Sequence, residues 1–175
     1  MPIYTRKGDK GETGLFGTNR RCSKDSQVFR AIGAIDELNS FLGVITSESE
    51  DDDKLINHLE KIQSNLFKIG SILAGSDLRF SSVQTKNLEK QIDDMEDKLQ
   101  RLRNFILPGG SSLGAKLHYA RSICRRVERE VVRLNKKDKI KPQILVYINR
   151  LSDYLFVLAR SINCEAGERE LVWKR

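Results

Sequence analysis

The sequence predicts an all-α fold, a five-helix bundle behind an irregular, Gly-rich amino-terminal segment. Three observations carry this reading. Apolar residues recur every three or four positions in five stretches, no segment sustains a period-two alternation, and only three prolines interrupt the 175 residues. The length suits a single domain over residues 1–175, with a leader over 1–24 and a helical body over 25–175. Apolar residues make up 39% of the chain. That is enough for a core, since a chain of this size buries roughly 70% of the surface its unfolded form exposes.

The leader, Thr5-Arg6-Lys7-Gly8-Asp9-Lys10-Gly11-Glu12-Thr13-Gly14, combines glycines, hydroxyls and cations without helical periodicity. Glycines let backbone N–H groups approach an anion, so the segment suits a phosphate cradle, with a solvated tail as the alternative. It is not a Walker A loop, because GxxxxGK[ST] cannot be laid over it. The first helix follows from Val28, Ala31, Ile32, Ile35, Leu38 and Leu42, and it also carries the polar group Asp36-Glu37 and Asn39. Leu55, Leu59, Ile62, Leu66, Ile69 and Leu73 make the second. The acidic run Glu48, Glu50, Asp51, Asp52, Asp53 lies at its start, where carboxylates suit the positive end of a helix dipole.

A weaker third stripe reads Leu88, Ile92, Met95, Leu99, Leu102. Phe105-Ile106-Leu107 then stands directly before Pro108-Gly109-Gly110-Ser111-Ser112, a break that ends one element and offers serine caps to the next. The triplet reads either as a core plug beneath a loop or as a wall facing a large apolar ligand. Leu113, Leu117, Ala120, Cys124, Val127, Val131 and Leu134 define the fourth helix. Beside that stripe Arg121, Arg125, Arg129 and Arg133 recur every four residues as a cationic ridge, flanked by Arg126 and Glu128, with His118 one turn earlier. Arginine is suited to bidentate phosphate contact, and a solvated basic face is the alternative. Lys136, Lys137, Lys139 and Lys141 lead to Pro142 and the fifth helix, built on Ile144, Ile148, Leu151, Leu155, Leu158 and Ile162. Within it Asn149, Arg150, Ser152 and Asp153 are polar, and Asn149 and Asp153 lie one turn apart. Most of these helices are expected to reach 20 residues or more.

Composition removes several classes. No run of 18 apolar residues exists, and the first residues lack the apolar core of a secretory signal. Three scattered cysteines, Cys22, Cys124 and Cys164, argue against a disulfide framework and for a cytoplasmic chain. Two histidines without a Glu three residues before either argue against a zinc or di-iron site, so no bound metal is expected from the protein's own ligands. The +7 charge and the ridge keep one other class open, a basic helical nucleic-acid-binding module with steep salt dependence.

Six segments occur in a familiar order. They are Ile3-Tyr4-Thr5 through Gly8-Asp9-Lys10-Gly11; Gly33-Ala34-Ile35-Asp36-Glu37-Leu38-Asn39; Phe105-Ile106-Leu107-Pro108-Gly109-Gly110; Leu117-His118 through Ala120-Arg121; Arg125-Arg126-Val127-Glu128-Arg129; and Asn149-Arg150-Leu151-Ser152-Asp153. The chain resembles the PduO-type ATP:cob(I)alamin adenosyltransferases from residue 3 to about 173. That resemblance implies a homotrimeric five-helix bundle with active sites between subunits. It implies that Co(I) of reduced cobalamin attacks the 5′ carbon of ATP, giving adenosylcobalamin and triphosphate, without nucleic acid or membrane. Thr5, Arg6, Lys7, Gly8, Thr13, Gly14 and Lys24 then belong to the loop side of the ATP site, in the nucleotide-binding leader. Arg125, Arg126, Glu128, Arg129 and Asn149 belong to the helix side. Asp36 and Arg121 match a pair that ties subunits together near the corrinoid, and Phe105 matches the aromatic residue beneath the corrin ring. Arg125, Arg129 and Phe105 carry the reaction, with Mg²⁺ bound to ATP and cobalamin as substrate. A flavoprotein reductase and an adenosylcobalamin-dependent enzyme are the implied partners. Arg6 and Lys7 stand where Lys and a small residue are common, and little chain follows Trp173 to close over the corrinoid.

Overall fold

The structure, a computed structural model, describes residues 4, 6–15, 21–49 and 52–174. Among the described residues the chain is all-α apart from one small ribbon. The helices are α1 (Gln27–Ser47), α2 (Asp53–Leu73), α3 (Val83–Glu96), α4 (Ser112–Asn135) and α5 (Pro142–Glu165). Their apolar stripes are the ones the periodicity predicts, and most of those side chains are buried. α4 and α5 pack against each other at the centre, α1 lies on α4, α2 on α1, and α3 on α5.

Three of the helix starts, those of α2, α4 and α5, have a chemical cause. Asp52 accepts the Leu55 backbone N–H at 2.9 Å, and Asp53 puts a second carboxylate in the first turn of α2. Ser111 Oγ accepts the Gly114 N–H at 3.0 Å and opens α4. Pro142 takes the first turn of α5, where its missing N–H is not needed. α4 and α5 pack along a seam closed to solvent, to which α4 brings Leu117, Ala120, Cys124 and Val127 and α5 brings Ile148, Leu151 and Leu155. Each large side chain buried there contributes about 1.5–3 kcal/mol. Asn65 adds a polar tie, donating to Gln84 Oε1 of α3 and to the Tyr147 hydroxyl of α5, both at 3.2 Å.

Two expectations need correction. The third stripe runs past its helix: α3 is 14 residues long, and Leu99 and Leu102 lie beyond its end. There the Gln100 carbonyl accepts a hydrogen bond from the Arg160 guanidinium of α5 at 2.8 Å, so a tertiary partner takes a group that a longer helix would have used. The leader also contains order that periodicity did not show. Glu12–Gly14 (β1) pairs antiparallel with Arg21–Ser23 (β2), Thr13 opposite Cys22.

Candidate active site

The leader side is built by Arg21. Its guanidinium donates to the Glu12 carboxylate at 3.2 Å, to the Glu12 carbonyl at 3.1 Å and to the Lys7 carbonyl, and so fastens the loop after Tyr4 onto the ribbon. Gly11 turns with a φ of +80°, a conformation that favours glycine, and its N–H donates to the Gly8 carbonyl at 3.2 Å. The Lys24 N–H donates to the Gly11 carbonyl at 2.9 Å. This brings Lys24 Nζ to 3.2 Å from where a Cβ on Gly8 would sit. Arg6, Lys7, Gly14 and Lys24 are exposed around this turn, while Gly8 and Thr13 are half-buried. Thr5 lies outside the described residues.

The helix side is assembled from α1, α4 and α5. Arg126 of α4 pairs with Glu37 of α1, and Asn149 of α5 donates to Glu128 of α4 at 2.9 Å. Arg129 donates to the Arg125 carbonyl at 3.1 Å. Among the described residues neither Arg125 nor Arg129 meets a carboxylate. Arg133, the next member of the ridge, is bound to Glu130 at 2.6 Å. The polar group of α5 divides: Asn149 faces Glu128, whereas Asp153 holds Arg150 at 2.7 Å.

Asp36 is exposed and makes no ion pair among the described residues, and the Arg121 guanidinium lies over the Phe156 ring at 5.3 Å. The two are therefore not joined within one chain. His118, 5% exposed, sits 5.9 Å from the same ring. Burial, and secondarily Arg121, hold its pKa below the usual imidazole value. Phe105 is 82% exposed, which overturns the core-plug alternative. No hydrogen bond or ion pair links residues 6–14 or 21–24 to Arg125, Arg126, Glu128, Arg129 or Asn149 within the chain, and the ribbon packs extensively on itself alone.

The sequence profile of cobalamin adenosyltransferases matches residues 3–162. A corrinoid adenosyltransferase from Bacillus subtilis (strain 168) is 41% identical over 182 residues, spanning 100% of this chain and 93% of its own. The chain belongs to the cobalamin adenosyltransferase family. Corrinoid adenosyltransferase MMAB from Bos taurus is 39% identical, with 99% of this chain and 76% of the bovine protein covered. The solved structures include a phenylalanine-to-alanine variant of the PduO-type ATP:corrinoid adenosyltransferase from Lactobacillus reuteri complexed with cobalamin and ATP. It matches with a TM-score of 0.94 at 37% identity, over 99% of this chain and 100% of that one.

Within this adenosyltransferase fold, one feature has no counterpart in the sequence reading. Residues 171–173 return alongside the Phe105 segment, with an antiparallel bridge between Ile106 and Val172. Arg160 and Asn163 of α5, both 5% exposed, sit behind that contact. Neither belongs to a recognised motif, and a single bridged pair is too short to leave a periodic signal.

Proposed function

We propose that this adenosyltransferase-family chain transfers the 5′-deoxyadenosyl group of ATP to Co(I) of reduced cobalamin. The Co(I) lone pair forms the bond to C5′, the C5′–O bond breaks, and triphosphate leaves with that electron pair. Cobalt supplies the nucleophile, so the protein has to align cobalt with C5′ and stabilise the charge of the leaving group. One observation carries the assignment of the site. Among the described residues Arg125 and Arg129 have no carboxylate partner, while the arginines beside them, Arg126 and Arg133, are both paired. Such a pair, exposed and already oriented along α4, is ready for triphosphate oxygens.

Glu128 holds Asn149 in place for the nucleoside end of ATP, and the leader residues Thr5, Arg6, Lys7, Gly8, Thr13, Gly14 and Lys24 close over the phosphates. Mg²⁺ fits here as Mg-ATP. No group of three His, Cys, Asp or Glu among the described residues would hold a metal alone, so the metal would be held chiefly through the phosphate oxygens of ATP. Phe105 presents an apolar ring to the lower face of the corrin. It keeps water and the dimethylbenzimidazole tail off Co(II), which then accepts an electron more readily.

The leader and the ridge belong to different subunits of a homotrimer in this reading. Its support is that no hydrogen bond or ion pair ties the two among the described residues. In addition, α1 and α4 leave Val44, Tyr119 and Val132 exposed. Asp36 and Arg121 would then pair between subunits. Among the described residues no helix is long and apolar enough to cross a membrane. We place the enzyme in the cytoplasm, where a reducing milieu suits both Co(I) and three free cysteines. There a flavoprotein reductase supplies the electron and an adenosylcobalamin-dependent enzyme takes the product. A nucleic-acid-binding role finds no support among the relatives.

The test is anaerobic incubation with chemically reduced cobalamin and Mg-ATP, following the corrinoid spectrum and triphosphate release. Adenosylcobalamin and triphosphate in equal amounts are expected. Absence of both overturns the proposal.

A further inference from the structure

Phe105 cannot hold itself in place. With 82% of its surface exposed, its own packing fixes neither its height nor its direction. Whatever positions it must act through the backbone on either side. Two hydrogen bonds do so from the carboxyl-terminal strap, residues 168–174: the Trp173 N–H donates to the Phe105 carbonyl at 2.9 Å, and the Leu107 N–H to the Leu171 carbonyl at 2.8 Å. The strap begins where Gly167 turns with a φ of +69° after the end of α5.

Both the strap and the Phe105 segment are anchored to two residues one turn apart on α5. Arg160 donates to both oxygens of Glu170, at 2.6 and 3.3 Å, and to the Gln100 carbonyl at 2.8 Å. One buried guanidinium thus grips the chain five residues before Phe105 and the strap that pairs with it. Asn163 takes the other end. Its Nδ2 donates to the Gly109 carbonyl at 2.8 Å, and its Oδ1 accepts from both the N–H and the hydroxyl of Ser111 at 3.0 Å. Two glycines make room for this amide: a Cβ on Gly110 would lie 2.4 Å from Asn163 atoms, and one on Gly114 would lie 1.9 Å from its Oδ1. Behind the segment a cavity of about 320 Å³, lined by Ile106, Gly110, His118, Asn163 and Glu170, leaves space into which the loop can sink.

We propose that Asn163 and Arg160 are positioning residues that set the pose of Phe105 beneath the corrin, and so determine whether Co(II) loses its lower ligand. This rests on the adenosyltransferase reading above. Neither residue needs to touch ATP or cobalamin. Their effect travels through the Gly109–Ser111 backbone and the strap.

Two near-isosteric variants separate positioning from packing. Asn163→Asp keeps the shape that Gly110 and Gly114 accommodate and the acceptor for Ser111, but it turns a carboxylate oxygen toward the Gly109 carbonyl. Glu170→Gln keeps one hydrogen bond to Arg160 and removes the charge facing its buried guanidinium, a cost that the thermal melt reads separately. Each is compared with wild type by electron paramagnetic resonance of bound Co(II) with Mg-ATP, by turnover from Co(II) with a reductant and from preformed Co(I), by ATP titration and by thermal melting. The expected result is a reduced four-coordinate Co(II) signal and a turnover loss from Co(II) approaching about 100-fold, the scale of an ångström misplacement. ATP affinity stays unchanged, and the loss from Co(I) is much smaller. Faster amide exchange at Leu107 and Trp173 should accompany it. Variants that keep the wild-type Co(II) signal, or that lose it only in step with ATP binding and melting temperature, overturn the proposal while leaving the reading intact. A wild-type protein that gives neither four-coordinate Co(II) nor adenosylcobalamin overturns both.

Discussion

Arg125 and Arg133 stand two turns apart on α4, yet among the described residues only the second has a carboxylate beside it. Replacing Arg125 or Arg129 by Ala should weaken ATP binding by about 10- to 150-fold, the equivalent of a lost charge-assisted contact of about 1.5–3 kcal/mol. Arg133→Ala removes an exposed pair worth about 0–1 kcal/mol and should leave ATP binding alone. Calorimetric titration checks all three, and equal losses would reduce the ridge to a generic basic face. His118 sets a pH limit. Its folded-state pKa lies below the unfolded value of about 6.5, chiefly because the ring is buried. The unfolded chain therefore takes the proton more readily. Stability is whole above that pH, declines as pH falls through it, and stops declining once the folded-state value is passed. Urea melts across about pH 5–8 should show this acid limb in the wild type. In His118→Gln it should become shallower, the remainder belonging to His58, whose pKa burial also lowers, and an unchanged limb would take His118 out of the effect.

At the scale of elements, the stripes of α1, α2, α4 and α5 were legible because each of these helices buries one face along its whole length. The end of α3 was not, since Leu99 and Leu102 continue the spacing while Arg160 draws the backbone away. The ribbon escaped notice for a different reason: strands of three residues are too short to alternate. Asn163 was hidden between apolar neighbours in α5, and its partners lie 52 and 54 residues away, so only the fold brings the signal together. The Phe105 segment was read with two alternatives, and its exposure removes the core plug. Because Phe105 is held by its backbone, Phe105→Ala should leave the melting temperature nearly unchanged. A buried plug would instead cost about 3–5 kcal/mol. The same variant should lose far more turnover from Co(II) with a reductant than from supplied Co(I). Equal losses in both assays would remove the ring from the reduction step.

For the whole molecule, the sequence made the family legible, and among the described residues no hydrogen bond or ion pair joins the leader to the ridge. If the site forms between subunits, a loop-defective chain (Gly8→Asp) and a ridge-defective chain (Arg125→Ala) should each be inactive alone. Mixed and allowed to exchange subunits, they should regain part of the activity. A mixture as inactive as its components, or a stable monomer in light scattering, would place both halves in one chain. Gly8→Asp is well suited to this, since a side chain there meets Lys24 Nζ and adds a negative charge where phosphate is expected.

The strap also makes the protein its own optical instrument. Trp173 is the single tryptophan of the chain, it is 48% exposed, and its backbone is bonded to Phe105. Corrinoids absorb in the near ultraviolet where indole emits, so a corrin seated against Phe105 should quench this fluorophore by resonance energy transfer. Emission then counts occupied corrinoid sites directly, without labels and without turnover. ATP alone, bound at the ridge, should leave it nearly constant. Quenching by cobalamin that saturates at one equivalent per chain would report every site filled, and saturation at a smaller fraction would reveal subunits that bind in sequence.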